Sequence, residues 1–224
     1  MSSSLSQRSH RTPLPDCVRS PDEFDITAAR ERLRNVDCLY RIPLVTFHDD
    51  LSSHTVNGSI HLKLENLQPV GSFKLRPAAN VLLAAHASGV DSARRVRVIT
   101  PSAGNMGQGV AWMVNYLNQS PTKFAEEILV VAPDHLPEAK HNAMKRMGVR
   151  CILVPFSTWW TLVDQQAFHG VEEKDLPPDH FSFHPELRQH LENDKEQWEN
   201  IFVHPVFDTN VMAGNGTIAL EVFE

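Results

Sequence analysis

Short apolar segments alternate with helix-like segments through the middle of this chain, and this alternation restricts the fold more than any other feature. The apolar segments are Val96–Thr100, Glu127–Ala132 and Arg150–Val154. Helical patterns follow them, one running through Ala111 and Leu117 and another over Ser157–His169. Strands that alternate with helices predict a parallel sheet with helices on its faces. The lack of polar alternation within the strands predicts that both faces of the sheet are covered.

Upstream of this alternation, the sequence predicts two helices and one strand. Residues Phe24–Val36 carry an apolar stripe at helical spacing, and the apolar positions of Ile60–Leu64 alternate with polar ones as in a strand. A second helix is predicted over Ser72–His86, with Ser72 as its N-cap. Pro77 falls near the first turn of this helix, where proline is tolerated.

Downstream, the pattern breaks over Gly170–Asn200, which carries three prolines among many charges. We interpret this segment as an insertion that is largely exposed and partly helical near its end. A solvated loop is the favoured interpretation and a functional lid is the alternative. The strand pattern resumes at Ile201–Val203. A turn is predicted over Ala213–Thr217, with Asn215 or Thr217 capping a final helix.

Composition excludes several classes of function. The 224 residues carry a formal charge of −6, which gives no electrostatic footprint for nucleic acid, and no segment approaches the ~20 apolar residues of a membrane helix. The cysteines Cys17, Cys38 and Cys151 are far apart, so neither a metal site nor a disulfide framework is indicated. The Ser- and Arg-rich start lacks the apolar core of a secretory signal. We expect a cytoplasmic protein with a disordered tail, the alternative being a mitochondrial or plastid transit peptide.

Lys74 lies just after the predicted strand and near the mouth of the predicted helix. Partial burial at such a junction would lower the pKa of the lysine and free its amine to react with an aldehyde cofactor. The alternative is a solvated lysine in the first turn, which would slightly oppose the helix dipole. The residue alone does not decide between these interpretations.

The segment Pro101–Asn105 follows an apolar strand directly and opens a helix. Backbone N–H groups in such a turn face an anion, and the helix dipole favours negative charge there. Ser102 and Asn105 add side-chain hydrogen bonds, so a substrate carboxylate suits this turn. The alternative is an ordinary strand-to-helix turn capped by Ser or Asn.

Together, the two motifs resemble those of the threonine/serine dehydratases and serine racemases, a branch of the fold-type-II pyridoxal-phosphate (PLP) enzymes. That branch carries Ser-Phe-Lys-x-Arg-Gly-Ala, closely matched by Ser72–Ala78, and Ser-Ala-Gly-Asn-His-x-Gln-Gly, closely matched by Ser102–Gly109. His204–Pro205 and Ala213–Glu221 are similar to its later motifs. The resemblance implies the tryptophan-synthase-β-like α/β fold, with parallel sheets flanked by helices. It also implies that this chain is the N-terminal two-thirds of such a protein.

The resemblance implies a role for each residue of the two motifs. Lys74 would hold PLP as a Schiff base and then remove the α-proton of the substrate. Phe73 would pack beside the cofactor ring, and Asn105 would hydrogen-bond its 3′-hydroxyl. No metal site is expected. The substrate carboxylate would be received by Ser102, Ala103, Gly104, Asn105 and Met106. The implied reaction is the deaminating dehydration of L-threonine or L-serine to a 2-oxo acid and ammonia.

Departures from the family motifs keep other functions open. Ala103 stands where serine racemases commonly carry a serine that moves a proton, so the resemblance favours elimination over racemisation. Pro77 replaces a glycine and Met106 replaces a histidine, and the glycine-rich loop that binds the PLP phosphate in the family is not found. The alternatives are a non-catalytic chain that acts through a partner, or a related reaction such as racemisation, 3-hydroxyaspartate dehydration or β-replacement.

The resemblance also predicts a division of the chain. Residues 1–22 would be a tail, 23–92 the first part of a large PLP domain, and 93–204 a small α/β domain that includes the insertion 170–200. Residues 205–224 would begin the return to the large domain. The expected partners are a small amino-acid substrate and, in the complete protein, a second copy of the chain.

Overall fold

The computed structural model describes residues 20–47, 59–89, 94–165, 172–191 and 197–224. The helices are α1 (Glu23–Arg34), α2 (Leu75–Ser88), α3 (Asn105–Leu117), α4 (Glu138–Arg146), α5 (Phe156–Val163), α6 (Pro185–Leu191) and α7 (Thr209–Phe223). The strands are β1 (Leu44–Phe47), β2 (Ile60–Lys63), β3 (Arg95–Pro101), β4 (Glu127–Pro133), β5 (Arg150–Val154) and β6 (Trp198–Phe202). Most of the predicted N-terminal tail lies outside the described residues.

Four strands form one parallel sheet in the order β5-β4-β3-β6. In the two inner strands, Val98 of β3 lies beside Ile128 of β4 on one side and Ile201 of β6 on the other. The predicted parallel α/β sheet is therefore confirmed. Because β5 and β6 lie at opposite edges, the chain between them must cross the sheet.

Both faces of this sheet are covered, as the uninterrupted apolar strands predicted. Val98 and Val130 point into one hydrophobic cluster, together with apolar side chains of α2 and α3. Ile99, the neighbour of Val98 in sequence, points into a second cluster with Leu162 of α5 and Leu187 of α6. Successive residues of a strand face opposite sides, so apolar residues at every position serve both clusters.

The remaining two strands, β1 and β2, pair antiparallel in a separate small sheet. Helices α1, α2 and α7 pack against one another beside the larger sheet. Nowhere in the described ranges does a helix have both the length and the apolar character needed to cross a membrane.

The predicted insertion packs against the sheet. It contains 3₁₀ helices at Glu173–Asp175 and Phe181–Phe183, followed by α6. Leu187 is fully buried, and Arg97 of β3 donates a hydrogen bond to the carbonyl oxygen of His190 at 3.1 Å. The helix expected near the end of the segment is confirmed, but the solvated-loop interpretation is wrong for residues 181–191. The crossing from β5 to β6 passes over a sheet face, so it must supply apolar cover there.

The turn predicted at Ala213–Thr217 is also wrong, because α7 runs straight through it. The helix begins earlier, where the Asp208 carboxylate accepts a hydrogen bond from the backbone N–H of Val211 at 2.9 Å. Gly214, inside this helix, is needed for close packing of α7 against α2. A Cβ atom there would lie 2.7 Å from Pro77 Cα and 2.9 Å from the carbonyl oxygen of Arg76. The small residues of this segment thus let α7 approach α2.

Candidate active site

Lys74 occupies the N-cap position of α2, and its side chain is half-buried. Its Nζ donates a hydrogen bond to the carbonyl oxygen of Pro205 at 3.0 Å. Burial lowers the pKa of the Lys74 ammonium group below the ordinary lysine value. A lowered pKa leaves more of the lysine as a free amine at neutral pH, and the free amine is the form that attacks a carbonyl. This environment differs from that of a solvated first-turn lysine.

The turn before Lys74 differs from the predicted cap. Ser72 is not the N-cap of α2; it lies two residues earlier, where its Oγ accepts a hydrogen bond from the backbone N–H of Lys74 at 3.2 Å. This local hydrogen bond fixes the tight turn that places Lys74 at the start of the helix, although it is not an N-cap hydrogen bond. Phe73 projects beside it with 39% of its surface exposed, and Lys74 Nζ lies 5.3 Å from the centroid of the Phe73 ring.

Ser102 organises the second loop from its centre. Its side chain is buried, and its Oγ accepts hydrogen bonds from the backbone N–H groups of Gly104 at 3.1 Å and Gly107 at 2.9 Å. The backbone N–H of Ser102 is itself bonded to the carbonyl oxygen of Val131 in β4. Gly104 has φ of +153°, which side chains rarely adopt, and a Cβ atom there would meet Lys140 Cδ at 2.6 Å.

Three N–H groups of this loop have no acceptor within the described part of the chain: those of Ala103, Asn105 and Met106. Asn105 and Met106 begin α3, where helix geometry leaves such groups unpaired. Ala103 and Asn105 are exposed. Unpaired N–H groups at a helix start suit a carboxylate, and the positive end of the helix dipole favours the same charge.

The predicted carboxylate-binding residues therefore contribute in different ways. Ser102 and Gly104 shape the loop, since the N–H of each is already bonded within the protein. The Met106 side chain is 3% exposed and packs in the hydrophobic core, so only its backbone faces the loop. Ala103 and Asn105 offer free N–H groups, and Asn105 also presents an exposed side-chain amide.

A close helix contact brings the two motifs together. Gly109 of α3 lies against the start of α2, where a Cβ atom would be 2.8 Å from the carbonyl oxygen of Lys74. Helices α2 and α3 pack along much of their length. The lysine and the loop at the start of α3 are therefore parts of one rigid arrangement.

His204 and Pro205 resemble a family motif, but the sequence indicates no role for either residue. The structure places Pro205 against Lys74, and His204 directly behind it with only 4% of its surface exposed. A histidine next to a proline at the end of a strand was the available signal. In the ranges that the structure describes, no group of three or more His, Cys, Asp or Glu side chains is placed to hold a metal ion.

Comparisons with known proteins show which proteins the chain is similar to. A family model described as "Pyridoxal-phosphate dependent enzyme" matches residues 39–224. The L-threonine ammonia-lyase of Thermotoga maritima is 32% identical over 200 residues, which are 89% of this chain and 40% of that protein. The catabolic L-threonine dehydratase TdcB of Staphylococcus aureus strain N315 is 33% identical over 174 residues, which are 78% of this chain and 40% of that protein. The chain thus spans about 40% of the length of the curated relatives it matches, less than the predicted two-thirds.

Solved structures agree. A pyridoxal 5′-phosphate-dependent aspartate racemase matches with a TM-score of 0.62 and 25% identity, covering 91% of this chain and 50% of its own. A threonine deaminase from T.th. matches with a TM-score of 0.57 and 27% identity, covering 91% of this chain and 51% of its own. Maize serine racemase, at 20% identity and a TM-score of 0.62, covers 92% of this chain and 50% of its own and shows the fold alone. The fold expected from the two motifs is confirmed.

Proposed function

The chain belongs to the family of pyridoxal-phosphate-dependent enzymes, and from this premise we propose that the protein carrying it converts L-threonine or L-serine to a 2-oxo acid and ammonia. For threonine the products are 2-oxobutyrate and ammonia, and together they contain every atom of the substrate. The relatives named as threonine ammonia-lyase and threonine dehydratase favour this reaction over others of the family.

The main support for the proposal is the half-buried amine of Lys74. It combines a pKa lowered by burial with a fixed position at the start of α2, held by the carbonyl oxygen of Pro205. These are the properties of a lysine that binds an aldehyde covalently and then exchanges a proton with the substrate. A surface lysine would have neither the burial nor the fixed acceptor.

The residues present fit the aldehyde and the ring of pyridoxal 5′-phosphate. Lys74 provides the amine that links to the aldehyde, and the exposed Phe73 and Asn105 side chains are available to the ring and its 3′-hydroxyl. When bound, the cofactor supplies an electron sink for the carbanion that forms as the α-proton leaves. In the proposed reaction, Lys74 Nζ takes and holds that proton.

The loop at the start of α3 binds the substrate carboxylate in this proposal. The free N–H groups of Ala103, Asn105 and Met106 are the donors, and Ser102 and Gly104 hold them in place. Orientation of this kind is the main contribution that a protein makes when the cofactor carries the electronic chemistry. Ala103 has no side-chain group that transfers a proton, which favours elimination over racemisation.

A comparison of Lys74→Ala and Lys74→Arg with the native protein tests the function. The native protein, purified with PLP, is expected to show the visible absorbance of a lysine-linked cofactor and to release 2-oxobutyrate from L-threonine. Both variants should lose the absorbance and at least roughly a thousandfold of the turnover, since alanine lacks the amine and arginine keeps the charge without a nucleophile. Lys123→Ala, at an exposed lysine remote from the site in sequence, is the matched control.

Two results would contradict the proposal. Native absorbance in Lys74→Ala would place the covalent linkage elsewhere. Release of D-amino acids in place of a 2-oxo acid would favour the racemase alternative. A homodimer, a cytoplasmic location and the division into residues 23–92, 93–204 and 205–224 stay predictions, as does the alternative of a non-catalytic chain.

A further inference from the structure

His204 is buried two residues after β6, and within the described part of the chain its ring hydrogen bonds go to the backbone. Its Nε2 lies 2.7 Å from the carbonyl oxygen of Val163. Its Nδ1 accepts the backbone N–H groups of Val206 at 3.0 Å and Phe207 at 2.6 Å. A carbonyl oxygen only accepts and a backbone N–H only donates. The proton must therefore sit on Nε2, and the ring is neutral.

This ring determines the course of the chain after β6. Nδ1 accepts hydrogen bonds from two successive N–H groups, which holds residues 205–207 in a turn around the ring. The Nε2 hydrogen bond to Val163 fixes the ring to the end of α5. The Phe207 ring also packs against the imidazole, with centroids 5.4 Å apart. The carbonyl oxygen of Pro205, inside this turn, accepts the hydrogen bond from Lys74 Nζ. His204 and Lys74 are thus connected through a single peptide group.

We propose that His204 is a positioning residue, which holds the Lys74 amine in place by fixing the carbonyl oxygen of Pro205. The catalytic importance of this role rests on the proposed function, because the position of Lys74 matters to catalysis only if Lys74 is the reacting amine. The hydrogen bonds themselves require no cofactor.

The charges around His204 agree with a neutral ring. Burial lowers the pKa of His204 below the ordinary histidine value, and the Lys74 ammonium lowers it further. The hydrogen bond with Val163 and the carboxylates of Asp164, at the end of α5, and Asp208, before α7, act in the opposite direction. Protonation of Nδ1 would remove its lone pair, break both backbone hydrogen bonds and release the turn.

Two variants of similar volume separate positioning from simple packing. His204→Gln keeps an acceptor and a donor, whereas His204→Leu keeps neither. The readout is the rate at which acetic anhydride modifies Lys74 in the 224-residue chain without cofactor, followed by peptide mass spectrometry across pH, with exposed Lys123 as the reference for reagent activity. The midpoint of this pH profile reports the pKa of the Lys74 amine in each variant.

In the native chain, the Lys74 midpoint should lie below its value in the urea-unfolded chain. His204→Leu should raise it by about one pH unit, roughly a tenfold loss of free amine at neutral pH, because the released lysine reaches solvent. His204→Gln should keep the native midpoint. A folded His204→Leu chain with the native midpoint would overturn the proposal.

A second measurement needs no variant and applies even if His204→Leu does not fold. The ¹⁵N spectrum of the histidine-labelled native chain should show His204 neutral at pH 7, with its proton on Nε2. A proton on Nδ1, or a cationic ring at that pH, would overturn the proposal. Neither readout involves PLP. Absence of the PLP absorbance in the native protein would therefore count against the proposed function and leave the role of His204 standing.

Discussion

Ser102 shows how one side chain can shape the backbone of a candidate binding loop. Its buried hydroxyl accepts two N–H groups, those of Gly104 and Gly107, and so holds the backbone that carries the free donors. Ser72 supports the backbone before Lys74 in the same way, but its hydroxyl accepts only one hydrogen bond, from the N–H of Lys74. The two serines therefore offer a matched pair for measuring what this support contributes.

We expect Ser102→Ala to lower the free energy of unfolding by about 2 kcal/mol, because two backbone donors lose their acceptor in a buried turn. Ser72→Ala should cost about 1 kcal/mol, since a single donor is affected. Urea unfolding of both variants, followed by circular dichroism, measures the difference. Equal losses would show that the Ser102 hydroxyl does not support the loop in this way.

The sequence alone was sufficient to single out Lys74 and the loop Ser102–Met106 as candidates, because the two motifs together resemble those of a known family, whereas each motif alone left a structural role open. It was not sufficient to show which N–H groups of the loop are free. That depends on where the Ser102 hydroxyl points and on the burial of Met106, and both are set by packing against other elements. Pro205 became part of the site for the same reason, since it contacts Lys74 across 131 residues of sequence.

At the scale of elements, the sheet and the presence of a final helix were predictable, but the start of α7 was not. Apolar strands alternating with helices leave few arrangements other than a parallel sheet. The segment around Gly214 and Gly216 was instead interpreted as a turn, because glycine normally marks one. Its actual function is contact between helices, where the absence of a Cβ atom lets α7 lie against Pro77 and Ile26. Tertiary packing of this kind is invisible in a local pattern.

The contacts of α7 predict different stability costs for adding a Cβ atom at the two glycines. In Gly214→Ala, the new Cβ atom would meet the backbone of Arg76 and Pro77, which cannot move without shifting α2. We expect a loss of about 2 kcal/mol in the free energy of unfolding, larger than the gain in helix propensity. In Gly216→Ala the atoms nearest the new Cβ atom belong to the Ile26 side chain of α1, at 2.9 Å. Ile26 must shift but the backbone of α2 need not, so we expect a smaller loss of about 1 kcal/mol.

Thermal or urea unfolding of the two glycine variants tests this difference. The chain offers the control internally, since both substitutions are the same and lie two residues apart in one helix. A Gly214→Ala chain as stable as Gly216→Ala would mean that α7 packs less closely on α2 than described.

Across the whole molecule, a buried ion-pair network joins the segment after β2, the start of α2 and the distant α7. Arg76, with 1% of its side chain exposed, donates to Glu65 at 2.9 Å and to Glu221 at 2.8 Å. Lys63 of β2 also pairs with Glu221. Burial alone would raise the pKa of Glu221, but hydrogen bonds from Arg76 and Lys63 lower it overall. The network lies two residues beyond Lys74, so it connects the small sheet, the start of α2 and α7 at the candidate site.

Arg76→Met is expected to lower the free energy of unfolding by about 3–5 kcal/mol at pH 7, because it leaves two carboxylates without their shared cation in a buried place. Since the folded pKa of Glu221 lies below its unfolded value, its contribution is present above about pH 4.3 and is lost as the pH falls through the folded pKa. The difference in the free energy of unfolding between the native and Arg76→Met chains should therefore shrink on acidification.

The control is Arg34→Met, at an exposed pair with Glu31, which should cost less than about 1 kcal/mol at either pH. Urea unfolding at pH 7 and pH 4 measures all three chains, and a loss in Arg76→Met no larger than that in Arg34→Met would show that the network does not hold these segments together.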